Sequence, residues 1–360
     1  MRGRLLSVPL TACLLLTGCA GLPYPREMGD MALLRTMGVD RAGEELSVTV
    51  STGPRARGLQ GEQEPALVLS ARGSSLAAAA LSLQSLSDSY VYFGYVDQLL
   101  LGEELARRGV TAVLDYFARD VELGLGAQLW VVRESTARGA VESGGGQGVD
   151  SRLSTLQTDG EMGVAAIPRT AGEVYTDLLE QGCAYLPALV PGDGEGAVLL
   201  DGGYAVLKGE TLAGYLDGEA ARGLELLAGR PAADILGVRL PSGWASARIT
   251  GGDVQCQLRF EAGMLVGYRI SCRLTARPAE YAAPLTQGDL ELLQAALERR
   301  ERARLLAALE QLRAWGTDCT GLGPRGALSD PAGWQSAGKD WQTRFAALEP
   351  ELQLRVSLQE

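Results

Sequence analysis

The residue with the clearest chemical assignment is Cys19. It closes the run Leu16-Thr17-Gly18-Cys19, which follows a 13-residue apolar stretch, Leu5 to Thr17, behind the basic Arg2 and Arg4. This is the layout of a signal peptide, and a run of that length is too short to span a bilayer. A small-residue pair before a cysteine is the bacterial lipobox. The small residues fit the signal peptidase, and the thiol becomes a diacylglyceryl thioether. The expectation is a signal peptide over 1–18 and lipidation of Cys19; the plain alternative is an ordinary signal peptide with an incidental cysteine. Several acyl chains on one residue anchor stably, since each buried methylene contributes about 0.8 kcal/mol.

Other motifs carry less. Ser336-Ala-Gly-Lys339 has the SxxK spacing of serine–lysine acyl transfer, but that chemistry also needs SDN and KTG elements. The chain's two lysines are Lys208 and Lys339, and neither stands in a KTG. Gly321-Leu-Gly323-Pro-Arg-Gly326 has the GxGxxG spacing. A dinucleotide site requires a strand before it, whereas a long helical pattern precedes this one, so it reads as a tight helix-exit turn. The carboxylates Glu103, Glu104, Asp115, Asp120, Glu122 and Glu219 could serve acid–base work only where two meet in a cleft; the plainer reading is a solvated acidic surface. Asp115 and Arg119 are spaced as an i,i+4 ion pair, for which partial burial is expected. No catalytic, cofactor or metal residue is assigned.

Composition narrows the classes. The 360 residues contain no histidine and carry a formal charge of −11. That removes His-dependent nucleophile systems and HExxH zinc sites, and an acidic chain argues against nucleic acid as partner. Residues 1–18 hold two arginines and no acids, so the rest of the chain carries −13. Beyond the signal peptide and Cys19 lie Cys183, Cys256, Cys272 and Cys319, with no CxxC pair. Cys256 and Cys272 fall on adjacent predicted strands, nearly opposite; a disulfide and two free thiols both remain open.

The elements that would position these residues read as α+β, multi-domain, with mixed or antiparallel sheets. Strands are predicted at 45–52, 66–70, 90–101, 125–133, 197–208 and 211–216, and helices at 74–86, 102–108, 110–120 and 217–227. Residues 53–65 read as a loop, and 149–195 give no clear pattern. A meander of short strands is expected at 246–250, 254–260 and 265–275. Thr286 to Trp315 reads as one long helix, opened by a Thr286/Asp289 capping box. Its leucine stripe faces the core, and Glu298 to Arg302 forms a wet surface with Glu298 and Arg302 paired. A short helix near Trp341 and a last strand at 352–358 follow. The glycine-rich turn at 191–196 is the expected boundary between an N-terminal domain, 19–195, and a C-terminal domain, 196–360.

Five segments, in order behind the lipobox, carry a family resemblance. They are Pro25 to Leu33 with Met37-Gly38-Val39-Asp40; Phe93-Gly94-Tyr95 with Leu101 to Gly109; Leu114 to Glu122; Leu207-Lys208 with Leu212 to Leu216 and Glu219 to Leu224; and Asp318 to Gly323. Together they resemble the Ger(x)C family, the lipoprotein C subunits of bacterial spore germinant receptors. Departures are Ala20-Gly21, where the family often has Trp-Asp, and Tyr95, where it has histidine.

The resemblance implies a non-enzymatic subunit of three α+β domains with unusual topology, and no cofactor. It would be lipid-anchored on the outer face of the spore inner membrane, beside integral membrane A and B subunits, and needed for nutrient-triggered germination. The alternatives are a free-standing lipoprotein that binds a solute or envelope polymer and, more remotely, an envelope hydrolase.

Overall fold

A computed structural model describes residues 31–57, 62–192 and 198–359. The signal peptide, Cys19 and the Pro25 to Asp30 segment lie outside the described residues.

The larger sheet is mixed. Its strands are β1 (Met31–Ala42), β2 (Glu45–Thr52), β5 (Val68–Gly73), β6 (Tyr90–Tyr92), β7 (Gln98–Gly102), β8 (Gln128–Val132), β9 (Cys183–Pro191), β10 (Leu199–Lys208) and β11 (Thr211–Leu216). Their order is β11-β10-β9-β8-β7-β1-β2-β5, with β6 also paired to β1. The centre, β1-β7-β8-β9, is parallel, and both flanks are antiparallel. Parallel neighbours need crossovers. Helices α2 (Glu103–Arg108) and α3 (Thr111–Arg119) link β7 to β8. Helices α4 (Ala137–Glu142), α5 (Asp150–Glu161) and α6 (Ala171–Gln181) link β8 to β9.

The central strands are buried on both faces, so they read as continuous apolar runs. Leu99, Leu101, Leu129 and Val131 pack with α1 (Leu76–Ser85), α2, α3 and α6. Leu100, Trp130 and Val132 pack with α4 and α5.

The second sheet runs β12-β13-β14-β15, from β12 (Ile235–Leu240), β13 (Gly243–Glu261), β14 (Met264–Tyr281) and β15 (Pro350–Leu358). The last strand joins β14 in parallel. The chain reaches it through α8 (Gln287–Trp315), α9 (Leu322–Ala327), α10 (Pro331–Ala337) and α11 (Trp341–Ala347). Helix α7 (Gly218–Leu227) crosses α8 at Gly223, where a Cβ would lie 2.0 Å from the Arg304 carbonyl oxygen.

The α+β class, the mixed sheets and the long C-terminal helix with its Thr286 cap match the sequence expectation. Three local readings differ, and the choice left open at the cysteine pair is decided for free thiols. Residues 53–65 contain a small ribbon, β3 (Arg55–Arg57) with β4 (Glu62–Glu64). The predicted 90–101 strand is two strands, separated by a turn closed by the Val96 N–H to Phe93 carbonyl bond. The 246–260 region is one 19-residue strand. Its Gly251-Gly252 pair sits at a bulge instead of a break, and Gly252 leaves room for Leu274, which a Cβ would meet at 2.7 Å. Cys256 and Cys272 stand diagonally, each paired with another residue (Ile270 and Val254), and both are buried free thiols.

The turn expected as a domain boundary falls mostly on residues 193–197, outside the described ones. Strands β9 and β10 pair across it. Their second face carries Cys183, Tyr185, Tyr204 and Val206 into the same core as α7, α8 and the second sheet.

Candidate functional site

The motif residues act as ties between elements. Asp40, at the end of β1, accepts hydrogen bonds from the Ala137 and Arg138 backbone N–H groups at 2.8 Å each. It thereby supplies an anion to the first turn of α4. Burial pushes its carboxyl up, against the pull of those bonds and of the Arg138 charge. Gly102 is held to glycine by this arrangement, because a Cβ there would lie 1.9 Å from Asp40 Oδ1.

Glu122 accepts from the Tyr90 hydroxyl at 3.1 Å and from the Phe93 N–H at 3.2 Å, and Asp120 accepts from the N–H groups of Glu122 and Leu123. Asp115 accepts from the Tyr175 hydroxyl and pairs with Arg119 at 3.3 Å. The partial burial expected for Arg119 is corrected here: its side chain is 79% exposed, because it points outward from the last turn of α3.

Farther along, Lys208 Nζ donates to the Trp315 carbonyl oxygen at 2.7 Å, closing the end of α8 onto β10. Asp318 is fully buried and accepts from Leu322 N–H, Gly323 N–H and Trp341 Nε1 at 2.9, 2.7 and 2.7 Å. The GxGxxG spacing therefore opens a short helix bound to an internal carboxylate. A Cβ on Gly323 would meet the Trp341 ring at 2.4 Å. Ser336 donates its hydroxyl to the Gly333 carbonyl within its own helix. Glu103, Glu104 and Glu219 are engaged by Arg107, Arg108 and Arg304.

The wet face expected at Glu298 to Arg302 is corrected in part: Arg299 and Arg302 are exposed, but Glu298 and Arg302 bond to the last strand and Glu301 is buried. Glu301 is 1% exposed and pairs with Arg300 at 2.6 Å and Arg304 at 3.3 Å. Arg304 continues to Glu219 and Asp234, at 2.7 and 2.6 Å. Helix α8 is covered by α7 on one side and by the second sheet on another, so Glu301 is taken inside while Arg299 and Arg302 stay exposed.

A polar seam runs where the larger sheet meets the C-terminal region. Tyr204 accepts from Ile167 N–H at 2.7 Å and donates to Glu225 at 2.9 Å, and Glu225 is held by Arg222. Arg169 lies over the Tyr185 ring at 4.5 Å and pairs with Asp177 at 2.6 Å. A groove of about 670 Å3 beside Arg169, Asp177, Gln181 and Arg230 opens on this seam. Two thiols lie next to it. Burial pushes Cys183 up to about 12, reinforced by Asp318, and pushes Cys319 well up too. Neither offers a thiolate nucleophile at neutral pH. Arg169 with Asp177 and Arg222 with Glu225 are paired along this seam, an arrangement suited to fixing geometry.

The most informative comparison is with protein families. The profile described as "Spore germination protein N-terminal domain" matches residues 25–191, and "Spore germination B3/ GerAC like, C-terminal" matches 202–360. The chain belongs to the Ger(x)C family of spore germination proteins. Comparison with curated proteins finds no match. Among solved structures, the crystal structure of the GerBC protein is similar, with a TM-score of 0.61 and 16% identity. The likeness covers 94% of this chain and 99% of that one, and at this identity it bears on the fold. Within the family frame, the described parts of the five sequence segments supply the knots above. The long-range partners, Asp40 with Ala137 and Lys208 with Trp315, have no signal in the sequence. The Thr170/Glu173 capping box that opens α6 is the local signal that could have marked a helix start in 149–195, the stretch that gave no clear pattern. Among the described residues, no helix is long and apolar enough to cross a membrane.

Proposed function

We propose that this chain is the non-catalytic C subunit of a nutrient-responsive germinant receptor. A lipid on Cys19 holds it to the outer face of the spore inner membrane, beside two integral membrane subunits, A and B. The observation that carries this reading is the pair of family matches, in order, directly behind a lipobox. The engaged carboxylates and raised thiols support a scaffolding role, because Asp40 and Asp318 are committed to holding elements in place and the Cys183 thiol is kept protonated. The work of such a subunit is docking, by which it keeps the membrane subunits assembled.

Deletion of the gene tests this. Spores lacking it should lose the response to this receptor's nutrients while still germinating with receptor-independent triggers, and the A and B subunits should be depleted from their membranes. Cys19→Ala should remove the acyl mass and release the chain from the membrane. Normal nutrient germination of the deletion strain, or co-purification with transporter components, would favour a solute-binding lipoprotein instead.

A further inference from the structure

The first described residue, Met31, pairs with Tyr90 in the parallel β1–β6 register. Tyr90 lines a cavity of about 300 Å3 with Leu81, Phe93, Tyr116 and Val121. Two of these apolar side chains face water: Val121 is 98% exposed and Leu81 76%. Tyr95, also exposed, stacks edge-on with Tyr92 beside the same turn. The acids at this place are turned to internal donors, Asp120 to its own loop N–H groups and Glu122 to Tyr90 and Phe93. Apolar side chains from a helix, a strand-end turn and a loop converge here on one face. Isolated exposed apolar residues need no explanation, but a convergent face marks an interaction site.

The tether identifies its occupant. Cys19 precedes Met31 by 12 residues, a span of at most about 40 Å when extended. The lipid-bearing segment therefore enters the body at the rim of this cavity. The chain beyond residue 18 carries −13, so anionic headgroups do not attract it. Apolar and aromatic contact is what remains, and tyrosine and phenylalanine suit the interfacial level.

We propose that the face around Leu81, Phe93, Tyr95 and Val121 rests on the lipid surface and sets which side of the body points to the membrane. This rests on the lipid-anchor reading of Cys19. The contact is apolar, so high salt does not loosen it and anionic lipid does not strengthen it.

The test uses the full acylated chain in phosphatidylcholine vesicles. Val121→Cys, Leu81→Cys and, as control, Leu328→Cys each place a thiol at an exposed site. The four native body thiols are buried, so an environment-sensitive fluorophore reacts at the new one. Labels at 81 and 121 should shift to the blue and be quenched by nitroxide lipid, equally in low and high salt, while the label at 328 should do neither. Aqueous emission at 81 and 121 from acylated, vesicle-bound chain overturns the proposal. So does a shift that needs spore membrane proteins, which would make the face a protein contact. Absence of acyl mass on Cys19 overturns the anchor reading, and this proposal with it.

Discussion

Glu298 on α8 accepts a hydrogen bond from the backbone N–H of Val356 on β15, at 3.0 Å. One turn along, Arg302 donates to the Leu352 carbonyl oxygen at 3.2 Å. Strand β15 is the last strand of its sheet, and an open edge offers its backbone to other chains. The two side chains occupy part of that edge, in place of pairing with each other.

Glu298→Ala should therefore destabilise the protein by about 1–2 kcal/mol, the scale of a lost bond to a charged group. It should also promote self-association through β15. Glu298→Gln keeps an acceptor and should show much less of both. Thermal unfolding and sedimentation velocity read the two effects separately; equal behaviour of the Ala and Gln variants would contradict the edge-capping role.

The cluster around Arg304 makes a second prediction. Hydrogen bonding and charge from Arg304 hold Glu219 below its ordinary value. Burial pushes Asp234 up, but Arg304 and Arg300 outweigh it and hold that carboxyl low as well. A depressed carboxylate contributes stability that is present above its unfolded pKa and lost as pH falls through its folded one. Arg304→Met should cost about 3 kcal/mol near neutral pH, mostly by stripping Glu301 of one of its two buried partners. The gap from wild type should begin to shrink as pH falls through the ordinary carboxylate range, about pH 4, and close only as Glu219 and Asp234 protonate in the folded wild type at lower pH. Melting temperatures measured from neutral pH down into the acid range, about pH 2 to 7, provide the check.

Helix α8 shows what the sequence could and could not say. Its start was legible because Thr286 and Asp289 cap locally, and its stripe because Leu293, Leu297 and Leu305 repeat at helical spacing. The fate of Glu298 to Arg302 was not, because charge on a helix implies solvent only where one side is free, and tertiary packing covers this helix twice. The same limit explains α5, whose sequence DSRLSTLQTDGE is polar and weakly helical by itself. Strand β13 was split in two because Gly251-Gly252 imitates a turn. The knots escaped for a different reason: Lys208 and Trp315 are separated by 107 residues, and no local pattern links them.

Glu225 carries the opposite pH sign from Glu219. It is 2% exposed, and burial pushes its carboxyl up despite Arg222 and the Tyr204 hydroxyl. A raised carboxyl favours folding below its unfolded pKa, and that contribution is lost as pH rises through the folded one. Glu225→Gln, which retains an acceptor for Tyr204, should therefore gain on wild type as pH rises from about 4 to about 8. The comparison is the difference in melting temperature at the two ends of that range. A constant difference would mean that Glu225 does not titrate with folding.

Asp318 provides the sharpest structural test. Its carboxylate holds the Leu322 and Gly323 N–H groups and the Trp341 indole at once. Trp341 in turn packs with Tyr268 and Phe345 at the centre of the C-terminal core. Asp318→Ala leaves three buried donors without an acceptor, and each orphan costs about 1–3 kcal/mol. The expected loss is roughly 3 kcal/mol or more, with a reduced near-ultraviolet signal from Trp341. Asp318→Asn retains one carbonyl oxygen and should fall between the two. Adding a dinucleotide or ATP should leave the melting temperature of wild type unchanged, because the glycine loop's N–H groups are already taken by Asp318. Nucleotide stabilisation that vanished in Asp318→Asn would instead reveal the GxGxxG segment as a phosphate cradle.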